Sequence, residues 1–373
     1  AGAKTTEDNC KWSAAKPTPA ALADGAVNGA VRTGNAYQLS AVHCPTATII
    51  LLAPGVTIEL TGTPLTVHYG HALEVRAIGP AGATIDAKGL SRVFTVGGAR
   101  EGASYSYFYS YEDDDEDYDP AFEEGGAALE LHNVHLTNGE APEGGAVALY
   151  GNTPLGDEGE TKAATLTMYG GSISLSKAVG GAEGSPTDGG GGAILLQGSG
   201  DLGADVMGDV TPGLFLYGTS IVGCEALTDG GGLLVTDAPF RLVDVSVSGC
   251  SAGRYGGGVS STLSTPSKVV GGSFSGCTAA TGGGGYHQQE GTVGISGGAT
   301  WEGCATTNKE TTIGFFETEV MGGGLLITDR ANLTLADATI RGSRGGNLNL
   351  RGDSQLVMVR TLIEGGVGKW GAG

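Results

Sequence analysis

Residues 214–224 read LFLYGTSIVGC, and the same frame returns as LVDVSVSGC at 242–250, VVGGSFSGC at 269–277 and GGATWEGC at 297–304. In each, apolar and polar residues alternate before a glycine and a cysteine close the segment. The cysteines at 224, 250, 277 and 304 are 26, 27 and 27 residues apart, a regular period that marks a repeat. Alternation of period two makes a strand with one buried face, and a unit of this length matches one coil of a β-solenoid. Upstream, LELHNVHLTNG (129–139) keeps the pattern; downstream, LTLADATIRGS (333–343) and LVMVRTLIEGG (356–366) keep it with Ser343 and Gly365 in the cysteine position.

A second strand follows each of these behind a glycine run: GGAVALY (144–150), GGAILL (191–196), GGGLLV (230–235), GGGVS (256–260), GGGGYH (282–287), GGGLLIT (322–328) and GGNLNL (345–350). Glycine is needed where a coil corners and where stacked backbones approach closely. A phosphate-cradling role is excluded, because no run opens a helix in GxGxxG form or is followed by Gly-Lys-Ser/Thr. The predicted fold is all-β, a right-handed parallel β-helix with one side of each short strand inside the tube. Residues 47–96 read as opening coils broken by Pro-Gly and Gly-Pro turns. Residues 1–46 are expected to form an N-terminal cap tied by Cys10 and Cys44, and 47–373 the β-helix, with insertions at 100–125 and 305–321. About twelve coils at ~4.8 Å each would make a rod roughly 55–60 Å long, ending at GKWGAG without an evident cap.

Composition agrees. Of 373 residues 70 are glycine, 6% are aromatic and 16% charged, which favours many turns and short strands over long helices. Forty acidic against twenty basic residues give a net charge of −20, which repels nucleic acid and anionic membranes. No apolar run is long enough to span a bilayer, and AGAKTTEDNC at positions 1–10 reads as a mature N-terminus. Six cysteines without a Cys-x-x-Cys pair suit disulfides in an oxidising compartment better than a metal site, so a secreted or cell-surface location is expected.

The GGAI motif at Gly191–Ile194, the related glycine-led strands and the lead-in ATIDAKGLSRVFTV (83–96) resemble chlamydial polymorphic outer membrane protein repeats, which are pectin-lyase-like β-helices. The likeness covers about residues 47–366. In that family GGAI accompanies Phe-x-x-Asn; here the counterpart is Phe274-Ser-Gly-Cys277, with cysteine in place of asparagine. A polar ladder inside the coils would thus have become a cysteine ladder. The resemblance implies adhesion or surface structure.

Cysteines on neighbouring coils fall within the Cα separations that a disulfide allows, so Cys224–Cys250 and Cys277–Cys304 bridges are expected. The alternative is a ladder of buried free thiols, since parallel in-register side chains give poor disulfide angles. The run YSYFYSYEDDDEDYDPAFEE (105–124) must stay solvated. Through Asp113, Asp114, Asp115 and Asp117 it could gather calcium or dock a basic partner, although it lacks the spacing of a calcium loop. Asp188 and Asp229 share a Thr-Asp-Gly-Gly frame and would stack if their coils are consecutive, holding a cation; the simpler reading is that aspartate starts a turn.

The residue set of pectin-degrading hydrolases is missing from the repeats, and no catalytic constellation is predicted. His132 and His135, three apart on one strand, should face opposite ways. Arg351-Gly-Asp353 falls where a turn is due, Asn332-Leu-Thr334 is a glycan acceptor for a eukaryotic secretory route, and Trp301 and Trp370 should serve packing. The expected function is a secreted structural or adhesive rod that self-associates or meets surface proteins, with no cofactor. The alternatives are a β-helix that binds or cleaves polysaccharide and an autotransporter-like passenger domain.

Overall fold

The computed structural model describes residues 30–33, 36–39, 48–68, 71–97, 126–151, 164–180, 189–198, 213–263, 266–307, 311–313, 316–318 and 322–368. It is all-β, and its strands stack in parallel into a β-solenoid. Sheet I has ten strands, from Thr48–Leu52 to Gln355–Val359; sheet III has nine, from Leu65–Val67 to Leu348–Leu350. Sheet II has twelve, of which the last is Leu362–Glu364, and a narrow sheet of six two-residue strands bridges II to III. Each coil runs through I, II, the bridge where present, and III, then rises to the next. Ten strands in sheet I give ten coils among the described residues, where about twelve were expected for the chain, and these span roughly 40–45 Å at the usual strand spacing.

At the N-terminal end, Ala30–Thr33 and Ala36–Leu39 form an antiparallel hairpin whose second strand pairs with Thr57–Glu59, supplying the two extra strands of sheet II. The expected disulfide of this cap falls on Cys10 and Cys44, which lie outside the described residues. The insertion expected at 305–321 is shorter at its start: Ala305–Thr306 still pairs with Thr278–Ala279 in the bridge sheet, and Thr311–Ile313 and Phe316–Thr318 then form a hairpin of their own.

One continuous core fills the tube. Sheet I contributes Leu129 and Leu131, sheet III Val147 and Leu149, and sheet II a single column of Ile58, Ile85, Leu136, Ile173, Ile221, Val247, Phe274, Trp301 and Ile340. Sheet III departs from the expected one-sided burial. Its outward residues Ala148, Leu195 and Leu234 form a second apolar cluster, because the glycine turns fold back over them. A Cβ at Gly144 would meet that of Ala148 at 3.0 Å, and one at Gly283 that of His287 at 2.9 Å.

From Val134–Thr137 onward, the corner that follows sheet II takes a left-handed residue. Gly223, Gly249, Gly276, Gly303, Gly342 and Gly365 fill it, but Asn138 and Leu175 take it at φ 53°. Gly365 therefore matches Gly342, and Gly366 takes the cysteine position assigned above to Gly365. Leu175 is 59% exposed, so its side chain gains little from burial while its backbone carries the left-handed penalty. Leu175→Gly is expected to stabilise the protein by about 0.5–1 kcal/mol, after the added freedom of the unfolded chain offsets part of the relief. A urea midpoint that falls instead would refute this.

Candidate functional site

Three arrangements of chemistry-bearing residues emerge. The first is a cleft on the outer side of sheet III. Val259–Thr262, Tyr286–Gln289 and Leu325–Thr328 run in parallel, which places Ser260, His287 and Leu326 in one outward column. His287 is 3% exposed; its Nδ1 lies 3.2 Å from Ser260 Oγ and its Nε2 3.3 Å from Thr328 Oγ1. Burial pushes its pKa down to about 4, so the ring is neutral at neutral pH. Tyr255 stacks on it with centroids 4.7 Å apart. Gln289, Asp329 and Arg351 complete a cleft of about 440 Å³. Ser260 is itself only 1% exposed and no carboxylate bonds the imidazole, so this is a set of hydrogen-bonding groups rather than a nucleophile with its base.

Asp229 stands at the edge of this cleft, and its carboxylate is committed to the next coil. Oδ1 accepts from Arg254 Nε at 2.9 Å and from the Tyr255 N–H at 3.0 Å, while Oδ2 pairs with Arg254 Nη2. The Gly191 N–H donates to the Asp229 carbonyl, so Gly190 rather than Asp188 stands in line with Asp229. Four consecutive glycines after Asp188 displace the shared Thr-Asp-Gly-Gly frame. Asp188 itself, like Asp113, Asp114, Asp115 and Asp117, lies outside the described residues, as does Trp370.

The second arrangement is the cysteine ladder. Cys224, Cys250, Cys277 and Cys304 are fully buried in register, between Ser176 and Ser343 of the flanking coils. The expected bridges are not formed; all four are free thiols. Stacking on parallel strands aligns the Cβ–Sγ bonds, whereas a disulfide needs its two sulfurs turned about a right angle. Each sulfur instead points at the carbonyl two residues earlier, at 3.6–3.8 Å. Full burial of all four disfavours the thiolate form, so the ladder packs as small apolar groups.

The third was not visible in the sequence. Glu74 on Ala72–Ala77 and Glu130 on Ala127–His132 are directly paired across sheet I, and His132 lies on the same outer face two residues beyond Glu130. His132 Nε2 is 2.5 Å from Glu130 Oε1 and 3.6 Å from Glu74 Oε1, while Arg76 contacts Glu74. The His132 ring stacks on Tyr169 at 4.8 Å, and Tyr169 on Tyr217 at 5.1 Å. His132 and His135 do not share a strand, because Asn133 turns the corner at φ 52° and sends His135 to sheet II, beside Ser172.

Asn332 is exposed on sheet I and therefore open to a glycan, and Arg351-Gly352-Asp353 forms an exposed turn. Trp301 is fully buried. Comparison of the chain with protein-family models, curated proteins and solved structures finds no match.

Proposed function

We propose that this chain is an extracellular structural or adhesive protein: a stiff β-helix rod that associates with its own kind or with surface partners and carries out no catalysis. The crossover sterics of parallel strands favour the right-handed form. The observation that carries the reading is where the surface charges go. Glu59–Lys88, Lys177–Glu225, Asp229–Arg254, Glu290–Arg330, Glu302–Arg341 and Asp337–Arg360 each join one coil to another. Charged side chains that clip neighbouring coils together resist bending and fraying of a solenoid, whose units contact only their neighbours. The likeness of GGAI and its companion strands to polymorphic outer membrane protein repeats points the same way.

A polysaccharide-binding role is the second reading, favoured by the cleft that Tyr255, Gln289, Asp329 and Arg351 line. The stacked rings on sheet I do not add to it, because their faces are turned to one another and present only edges to a sugar. Electron microscopy of the purified chain, alongside a screen for binding and cleavage of acidic polysaccharides, separates the two. Rods that self-associate or decorate cell surfaces, without turnover, are expected. Isolated rods that cleave a polymer would overturn the structural reading, and polymer binding abolished by Arg351→Ala would favour the second.

A further inference from the structure

Glu74 and Glu130 are held side by side by strand register, an arrangement that repels in sheets unless a cation lies between the carboxylates. Glu74 Oε1 is shut off from solvent and accepts no hydrogen bond of ordinary geometry; its ion-pair contacts are Arg76 and His132. The imidazole enters the same space, and its Nε2 and one oxygen from each carboxylate all lie within 4.8 Å of one another. A four-coordinate metal with bonds of ~2.0–2.2 Å needs its ligands roughly 3.2–3.6 Å apart. The His132–Glu74 separation of 3.6 Å already meets this, and the His132–Glu130 contact of 2.5 Å has only to open. The ring cannot swing freely, because the stack on Tyr169 and Tyr217 fixes its plane.

We infer that Glu74, Glu130 and His132 form a binding site for a divalent transition metal of the zinc class on the outer face of sheet I. One nitrogen and two carboxylate oxygens suit zinc better than calcium or magnesium, which take oxygen ligands alone. Water would hold the fourth, solvent-facing position. Arg76 is the competitor: it contacts Glu74 in the metal-free chain, yet its side chain is 49% exposed and can turn into solvent. The placement gives the metal a role that does not depend on the rod's partner. Ala72–Ala77 and Ala127–His132 are paired strands of neighbouring coils, so the ion would tie one coil to the next across sheet I.

Titration of the full metal-free chain with zinc chloride, by calorimetry and thermal melting, tests this. One site is expected whose occupancy raises the melting temperature. His132→Ala and the isosteric Glu130→Gln should each weaken it at least tenfold, in line with loss of a ligand. Arg76→Gln should tighten it, a response that a merely structural cluster would not give. Cobalt in place of zinc should show no thiolate charge-transfer band. Zinc affinity unchanged in both ligand variants, a thiolate band, or no zinc binding by the wild-type chain would each overturn the assignment.

Discussion

Alanine at Gly231 is expected to destabilise the solenoid by about 3 kcal/mol, near the upper end of what overpacking costs, although it adds a single methyl group. Glycine at this position answers a need for space. A Cβ here would lie 2.3 Å from the Ser251 carbonyl oxygen and 2.4 Å from that of Gly257, both on the coil above. Both obstacles are backbone atoms fixed by the ladder, so relief requires two coils to part, with loss of the Gly231 and Gly232 hydrogen bonds to Gly256 and Gly258. The same collision recurs up the column. Gly145 faces Gly192, Gly192 faces Gly231, Gly257 faces Gly284 and Gly284 faces Gly323, each with a contact of 2.2–2.5 Å. Gly294 is the control, because nothing lies within 4 Å of its Cβ position. Gly294→Ala should therefore be neutral or stabilise by roughly 0.5 kcal/mol, the usual gain from replacing a strand glycine. Urea denaturation of both variants checks the pair. Equal midpoints would mean that the glycine column is not set by coil-to-coil contact.

The repeat was legible because it rests on patterns that span a few residues. Alternation around Leu214, Leu242 and Val269 assigned the inward face of sheet I, and the cysteines assigned the frame. What depended on the register between distant segments was not legible. Glu74 and Glu130 are 56 residues apart with an insertion between them, and nothing in ALEVRA or AALELH says that they are neighbours. Corners made by residues other than glycine were equally silent. Leu175 takes a left-handed conformation that nothing in its side chain signals, and Asn133 gives only the weak signal of an asparagine, which is why His132 and His135 were placed on one strand. The alignment of Asp188 with Asp229 was unreadable for a related reason: a glycine run has no internal landmark, and the register sets Gly190 opposite Asp229.

The cysteine ladder shows how a repeat can satisfy one geometric demand in several chemistries. Its position is taken by Ser176, Cys224, Cys250, Cys277, Cys304 and Ser343 in successive coils, and all are buried. The shared property is a small, buried side chain; Ser176 and the four cysteines also point a weak donor at a local carbonyl, whereas Ser343 Oγ has no partner. Ser176 Oγ lies 3.2 Å from the Ser174 carbonyl, and the cysteines make the corresponding contact at sulfur distances. Spacing alone suggested bridges because it reports distance between coils and not the direction of the Cβ–Sγ bonds.

Trp301→Ala should cost about 3–5 kcal/mol, the largest loss expected from any single truncation here. Trp301 is fully buried and stacks on Phe274 with centroids 4.8 Å apart and planes 3° from parallel. The two rings stand in a column otherwise built from aliphatic residues, and the opposite wall makes room for them with glycine. A Cβ at Gly258 would come within 3.4 Å of Phe274, and one at Gly285 within 2.6 Å of Trp301. Alanine at 301 thus leaves a cavity that Gly285 cannot fill, and it removes the ring contact as well. Trp301→Phe is expected to behave differently. The indole Nε1 is buried without a hydrogen-bond partner, a defect that costs about 1–3 kcal/mol and that phenylalanine removes. The lost ring volume offsets part of that gain, so the phenylalanine variant should stay within ~1 kcal/mol of the parent. Denaturation midpoints for the two variants decide the matter. If phenylalanine proves as damaging as alanine, shape at this position outweighs the orphaned donor, and the glycine wall at 258 and 285 is matched to the indole itself.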